Sequence, residues 1–216
     1  DQQIRALLNS NSWRLMTPFR ELKRLICNPV AQIKIYIILM LKVPTRVYQS
    51  LPFSCQTKLR HRVFLYKYLP RLMNLAGVSR PPSKLSLPTS KKPLVTIIIP
   101  IYGKIDFTMR CLASIEKYPP KVAFEVVVVD DCSPDDSVCI LEYFVSGVTL
   151  LKNKKNQGFI RSCNAGAKKS KAEYVYFLNN DTQVTAGWLD ALLQTFDNFP
   201  GTGLVGSKLL YPDGIL

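Results

Sequence analysis

Beyond about residue 93, short apolar runs alternate with amphipathic segments. Runs of β-branched, aliphatic and aromatic residues predict five strands, at 94–100, 124–130, 147–151, 173–178 and 203–210. Apolar residues at helical spacing predict four intervening helices, over 105–118, 133–144, about 158–170 and around 188–196. This alternation predicts an α/β fold with a doubly wound, mostly parallel sheet, because parallel strands need crossover connections.

In a sheet of this kind, ligands bind outside the carboxyl ends of the strands. The residues that follow the predicted strands are therefore the candidate binding residues. They lie at 100–103, 130–133, 152–158 and 179–182.

The chain before residue 93 has a different composition. Residues 1–78 mix apolar patches with many Lys and Arg, and predict a basic, mainly helical segment. Residues 79–92 are rich in Pro, Ser and Lys, which predicts a linker before an α/β domain at 93–216. The longest apolar run, 33–43, has 11 residues including two lysines. A bilayer-spanning helix needs roughly 18–20.

The positive charge is concentrated in the N-terminal part. Residues 1–92 contain 17 Lys and Arg against 2 Asp and Glu, whereas residues 93–216 contain 12 against 13. A basic, aromatic-bearing surface predicts peripheral attachment to an anionic bilayer, at the inner face of the plasma membrane. Two alternatives stay open: a helical subdomain with solvated charges and, less favoured, binding of nucleic acid.

The six cysteines form no CxxC pair. A chain of this length can build a core without disulfides. We therefore predict reduced thiols in a cytoplasmic protein.

Two acids, Asp130 and Asp131, close the second predicted strand. An acid at this place can accept hydrogen bonds from a nucleobase or a ribose. The alternative is that one of them caps the helix that begins near Pro134. Because Ser133 is already a suitable cap, we favour a ligand role for at least one of the two carboxylates.

Asp181 follows the fourth predicted strand together with Asn179 and Asn180. A carboxylate with neighbouring amide oxygens suits Mg²⁺ or Mn²⁺, provided that a bound diphosphate supplies further ligands. The alternative is an Asx-turn that leads into the next helix.

In the segment 153–170, a basic stretch with a glycine leads into a predicted helix, and Lys154, Lys155 and Arg161 lie close to the helix start. Positive charge at a helix N-terminus favours phosphate groups. A solvated, lysine-bearing helix face explains the same residues, and both interpretations stay open.

Four separated motifs in this order resemble one family. They are VTIIIPIYGKIDFTMRCLASI, FEVVVVDDCSPDDS, the stretch from LKNKKNQGF to NNDTQVTAGWLDALL, and GLVGSKLLYPDG. Over about residues 93–216 the chain resembles family-2 glycosyltransferases of the GT-A fold. Within that family it resembles bacterial rhamnosyltransferase-like enzymes that build O-antigen and other surface polysaccharides.

The resemblance implies inverting transfer of a hexosyl or rhamnosyl group from a nucleoside-diphosphate sugar to a glycan or lipid-linked acceptor. It implies that Asp181 carries Mg²⁺ or Mn²⁺ at the family's DXD position. It also implies a set of residues that bind the nucleotide sugar: Pro100, Tyr102, Asp130, Asp131, Asn156, Gly158, Asn164 and Asn180.

The chain departs from the family's pattern at two positions, where Gly103 replaces an Asn and Cys132 replaces a Gly. The resemblance places the general base beyond Leu216, so we name no catalytic residue and expect the donor-binding half of an enzyme. The rival interpretation is a membrane- or nucleic-acid-binding module that carries a non-catalytic, nucleotide-binding α/β domain.

Overall fold

This computed structural model of the chain describes residues 52–75 and 80–211. The predictions for residues 1–51 therefore lie outside the described residues. The chain divides into two compact units, of which one contains Cys55–Pro70 and Ser79–Leu216. Within the described residues, no helix is long and apolar enough to span a bilayer.

From residue 95 onward, helices and strands alternate along the chain, except that the short strand Val145–Ser146 directly precedes the strand Val148–Lys152. In chain order the elements are α1 (Cys55–Tyr68), α2 (Pro70–Leu75), β1 (Leu85–Ser86), β2 (Val95–Ile101), α3 (Ile105–Lys117), β3 (Phe124–Asp130), α4 (Ser137–Phe144), β4 (Val145–Ser146), β5 (Val148–Lys152), α5 (Phe159–Lys169), β6 (Tyr174–Phe177) and α6 (Trp188–Asn198).

Within residues 52–75 and 80–211, the main sheet has four strands in the order β5-β3-β2-β6, and all three neighbouring pairs are parallel. Every residue of β2 is buried. On one face, Ile97 and Ile99 join the large core that includes residues of α3, α4 and α6. On the other, Ile98 packs with Val127 and Val129 under α5, which confirms the predicted α/β fold with helices on both faces of a parallel sheet.

Helix α5 lies close to the sheet because of one glycine. A Cβ atom added at Gly166 would lie 2.6 Å from the Cγ2 atom of Ile98, which is closer than real Cβ contacts. Gly166 is itself buried in α5. The absence of a side chain at this position therefore sets the distance between α5 and β2.

A small parallel pair, β1 with β4, holds part of the predicted linker on the α/β domain. Leu85 and Leu87 are buried there, with 8% and 3% of their surface exposed. Gly147 has a positive φ, and a Cβ atom at this position would lie 1.9 Å from the Leu87 carbonyl oxygen. The boundaries at 78 and 92 stay predictions.

The prediction of a fifth strand at 203–210 is wrong. These residues have no regular structure, and Leu204 and Leu209 are 90% and 70% exposed. The segment contacts β6 through a side-chain hydrogen bond between the hydroxyls of Tyr176 and Ser207, 2.8 Å apart. A strand needs a backbone partner, and this run has none among the described residues.

Helix α1 packs on α4, and Leu59 of α1 joins the large core. Cys55 and Cys139 form a disulfide across this contact, with Cα atoms 6.2 Å apart. The expectation that all cysteines are reduced is therefore wrong for this pair. The two cysteines are 84 positions apart, so no local pattern in the sequence indicated the pair. Cys111, Cys132 and Cys163 are free.

Candidate functional site

A cavity of about 440 Å³ opens at the carboxyl ends of β2 and β3, beside the loop after β6. Five of the residues predicted to bind the donor or a metal line it: Pro100, Tyr102, Asp131, Asn180 and Asp181. The parallel sheet brings them together, because each follows or ends a strand at the same edge.

The other predicted residues lie outside this cavity. Asp130 is 3% exposed, and its carboxylate accepts a hydrogen bond from the Ser133 backbone N–H at 3.2 Å. Asn156 accepts a hydrogen bond from the Gly158 N–H at 3.1 Å, so these two residues form a local turn. Asn164 is exposed on α5.

Asp131 is buried at the end of β3, with 5% of its surface exposed. Its Oδ1 atom accepts hydrogen bonds from the Asn153 side chain at 2.8 Å and the Gln157 N–H at 2.7 Å. Its Oδ2 atom accepts a hydrogen bond from the Gly158 N–H at 2.7 Å. Burial alone would raise the pKa of Asp131, but the hydrogen bonds from Asn153, Gln157 and Gly158 outweigh it and lower the pKa.

Asp181 lies in a β-turn, in which the Thr182 N–H donates to the Asn179 carbonyl at 3.2 Å. The Thr182 hydroxyl donates to the same carbonyl at 2.7 Å. Among the described residues, none donates a hydrogen bond to the Asp181 carboxylate, which is exposed at the cavity. The turn is thus closed by the backbone and Thr182, and the Asx-turn alternative is not observed.

Thr108, which the sequence did not single out, orients Asn180. It is fully buried on α3, and its hydroxyl accepts a hydrogen bond from the Asn180 side-chain nitrogen at 3.0 Å. This leaves the Asn180 side-chain oxygen as a second acceptor beside Asp181. A buried Thr on an amphipathic helix gives no sequence signal for such a role.

The side chains of Asn180 and Asp181 are suitable ligands for a hard cation. Both offer oxygen atoms, which Mg²⁺ and Mn²⁺ prefer. Within residues 52–75 and 80–211, no group of three or more His, Cys, Asp or Glu residues could hold a metal. The residues therefore fit an ion that takes further ligands from a diphosphate, and they do not form a closed protein site.

The loops after β2 and β3 are tied to each other. The Gly103 N–H donates to the Ser133 hydroxyl at 2.7 Å. Lys104 and Cys132, one in each loop, have left-handed backbone conformations with φ of 53° and 63°. The Cys132 position therefore favours the glycine that the family usually has there.

Four residues line the cavity without having been predicted: Lys104, Phe107, Phe159 and Ser162. Phe107 and Phe159 are 41% and 58% exposed, so the cavity has aromatic surface in addition to Tyr102. Arg110 lies over the Phe107 ring, 4.6 Å from its centre. Phe107 and Phe159 lie in the first turns of helices that follow strands of the sheet. Aromatic residues at such positions were the sequence signal that could have identified them.

Comparisons with known proteins show which family the chain matches. The sequence profile described as Glycosyl transferase family 2 matches residues 96–215, more than half of the chain. The chain is 30% identical over 132 residues to Glycosyltransferase AglE of Haloferax volcanii, covering 58% of the chain and 43% of that protein. It is 32% identical over 108 residues to Polypeptide N-acetylgalactosaminyltransferase 16 of Mus musculus, covering 49% and 19%.

Among solved structures, the chain is similar to S. aureus TarS 1-349 in complex with UDP-GlcNAc. The sequence identity is 26%, the TM-score is 0.44, and the match covers 52% of this chain and 37% of TarS 1-349. The chain spans less than half the length of each of these proteins.

Proposed function

Because the chain belongs to glycosyl transferase family 2, we propose that it binds a nucleoside-diphosphate sugar for inverting transfer to a glycan or lipid-linked acceptor. The observation that carries the proposal is the cavity at the strand ends, where Tyr102, Asn180 and Asp181 meet. Hexosyl or rhamnosyl transfer in the synthesis of O-antigen or another surface polysaccharide is the context that we propose for this reaction.

In the proposed donor complex, Tyr102 and Pro100 contact the nucleoside. Tyr102 is 55% exposed at the cavity, and its ring offers a stacking surface for a nucleobase. The predicted contacts of Asp130, Asp131, Asn156, Gly158 and Asn164 with the donor stay predictions. The general base is assigned to no residue of the described chain.

Asp181, with the Asn180 side-chain oxygen, would hold the metal and through it the diphosphate. The bound Mg²⁺ or Mn²⁺ supplies Lewis-acid stabilisation of the leaving diphosphate. Thr108 keeps the Asn180 side chain in place through its hydrogen bond, so the protein presents its ligands before the donor arrives.

The test is ligand-dependent thermal stability. A panel of UDP, GDP and dTDP with Mn²⁺ is expected to raise the melting temperature of the wild type for at least one nucleotide, and Asp181→Ala is expected to abolish the shift. Asp197→Ala is the matched control, since Asp197 is an exposed acid on α6 outside the cavity. No shift with any nucleotide, or an equal shift in Asp181→Ala, contradicts the proposal.

We further propose that the basic N-terminal part attaches to an anionic membrane surface at the cytoplasmic face. The observation that favours this is the exposed side of α1, which carries Arg60, Phe64, Lys67 and Tyr68. Helix α1 contains no Asp or Glu. Its opposite side packs on α4, so the alternative of a helix packed on the α/β domain is compatible with the same structure.

Vesicle sedimentation separates these interpretations. The wild type is expected to bind phosphatidylglycerol vesicles and not phosphatidylcholine vesicles, and Arg60→Glu with Lys67→Glu is expected to weaken the binding several-fold. Binding to single-stranded RNA and not to the anionic vesicles would favour the nucleic-acid alternative instead.

A further inference from the structure

Three polar residues of helix α3 contact the segment that carries Asp181. Thr108, Cys111 and Ser114 follow one another at intervals of three positions, so they lie in one row along the helix. We call them the α3 polar row. All three are buried, with 0%, 0% and 8% of their surface exposed. Buried polar groups have hydrogen-bond partners in native proteins, and each member of this row has one within residues 179–184.

The first two members of the row contact the turn 179–182 itself. The Thr108 hydroxyl accepts a hydrogen bond from the Asn180 side-chain nitrogen at 3.0 Å. The Cys111 thiol donates a hydrogen bond to the Asn179 carbonyl, with sulfur and oxygen 3.7 Å apart. Because a thiol is a weak donor, the contact of Thr108 is the stronger of the two. It uses the amide nitrogen of Asn180, so the amide oxygen is the atom left for an ion.

Ser114 holds the end of the same segment. Its hydroxyl accepts a hydrogen bond from the Val184 N–H at 2.9 Å and donates one to the Cys111 carbonyl at 2.6 Å. Leu178 and Val184, on either side of the turn, are both buried in the large core. The turn is therefore anchored at both ends and held by α3 in between, while Asp181 is exposed at the cavity.

We propose that the α3 polar row positions the metal-binding turn, by holding Asn180 and Asp181 so that both present oxygen atoms to one ion at the cavity. The members of the row are positioning residues, since none of them lines the cavity. The inference rests on the proposed binding of a metal and a diphosphate, but the contacts that carry it are formed without any ligand.

The variants that test this each remove one hydroxyl. Thr108→Val keeps the shape of the side chain but loses the acceptor for Asn180, whereas Thr108→Ser keeps the hydroxyl and serves as the rescue variant. Ser114→Ala loses the acceptor of a backbone N–H in the segment. Thr96→Val is the matched control. Thr96 is also fully buried, and its hydroxyl donates to a carboxylate on β3 at 2.7 Å, but it lies outside the cavity.

The first measurement is NMR of the ligand-free protein. Ser114→Ala is expected to accelerate amide hydrogen exchange at Val184 about fivefold, because the hydrogen bond of this amide is lost. Thr108→Val is expected to shift the side-chain amide proton resonances of Asn180 upfield for the same reason. Thr96→Val is expected to change neither. An unchanged exchange rate at Val184 in Ser114→Ala, or unchanged Asn180 resonances in Thr108→Val, overturns the inference.

The second measurement compares the affinity for UDP, GDP and dTDP with Mn²⁺ and with EDTA. Mn²⁺ is expected to increase the affinity of the wild type for the nucleotide that it binds. Thr108→Val and Ser114→Ala are each expected to reduce this increase about fivefold and to leave the affinity in EDTA unchanged. Thr108→Ser and Thr96→Val are expected to retain most of the increase.

A full Mn²⁺-dependent increase in either hydroxyl-free variant overturns the inference. An equal loss with Mn²⁺ and with EDTA also overturns it, because such a loss shows a general change of the cavity and not of the metal-binding turn. Each variant is judged alone, so a variant that does not fold leaves the decision to the other.

Failure of the proposed function gives a different result. If the wild type binds none of the three nucleotides, or binds one without any increase from Mn²⁺, the proposed metal-diphosphate site fails. The NMR measurement still decides whether α3 holds the turn.

Discussion

Asp131 and Asp181 both follow a strand of the same parallel sheet, and both line the same cavity. Asp131 is 5% exposed and accepts hydrogen bonds from the loop before α5. Asp181 is exposed, and no described residue donates a hydrogen bond to its carboxylate. The same chemical group therefore serves the structure at one strand end and is available to a ligand at the other.

The difference arises from what surrounds each strand end. The loop 153–158 folds over the end of β3 and directs two backbone N–H groups at Asp131. At Asp181 the turn is closed by the Asn179 carbonyl and Thr182, which leaves the carboxylate outside the hydrogen-bond network. The hydrogen-bond partners, and not the residue type, decide which of the two carboxylates stays free to accept a ligand.

The largest expected effect is on stability. Asp131→Ala leaves buried donors without an acceptor, and is expected to lower the free energy of unfolding by about 3 kcal/mol. Asp181→Ala is expected to change it by less than about 0.5 kcal/mol, because the side chain is exposed and makes no hydrogen bond with described residues. Urea unfolding of both variants measures the difference, and equal losses would remove the distinction between the two acids.

A smaller effect is expected at the turn after β3. Cys132 has a φ of 63°, which strains a residue with a Cβ atom. Cys132→Gly is expected to raise the free energy of unfolding by about 1 kcal/mol, after the entropy gained by the unfolded chain is deducted. Cys132→Ala removes the thiol and keeps the Cβ atom, so it is expected to bring no gain. A gain in both variants would show that the thiol, and not the backbone, is responsible.

Acidification is expected to reduce the stabilisation that the Asp131 carboxylate provides, by a fraction of the loss expected for Asp131→Ala. Because the folded-state pKa of Asp131 is lowered, its stabilisation is present above the ordinary Asp pKa and is lost as pH falls through the folded value. The stability difference between the wild type and Asp131→Asn is therefore expected to be constant above about pH 5 and to shrink below about pH 4. Urea unfolding across this range measures it, and a difference that does not shrink on acidification would contradict it.

The sequence predicted most of the fold because the signals are local. The β-branched runs that become β2 and β3 identify buried strands without knowledge of their neighbours. The run at 203–210 is also rich in apolar residues, but it has no backbone partner among the described residues, so its apolar content alone misassigned it. Two leucines, Leu85 and Leu87, are too few to form a recognisable hydrophobic pattern, so the sequence did not indicate that both are buried.

The sequence predicted where the site lies, but not what each of its residues does. Strand ends of a parallel sheet meet at one edge, so Tyr102, Asp131 and Asp181 could be brought together from sequence. The use of the Asp131 carboxylate depends on amides 26 and 27 residues away, and no local pattern encodes such contacts. The same holds for Thr108, which reaches Asn180 across 72 residues.

The most direct test uses the paramagnetism of Mn²⁺ in solution NMR of the wild type. In the presence of the nucleoside diphosphate that raises the melting temperature, Mn²⁺ is expected to broaden the amide resonances of residues 179–182. Without nucleotide, the broadening is expected to be much weaker, because a single carboxylate binds the ion poorly. Broadening at 179–182 that is absent with nucleotide, or that persists unchanged in Asp181→Ala, would contradict a metal-diphosphate site at this cavity.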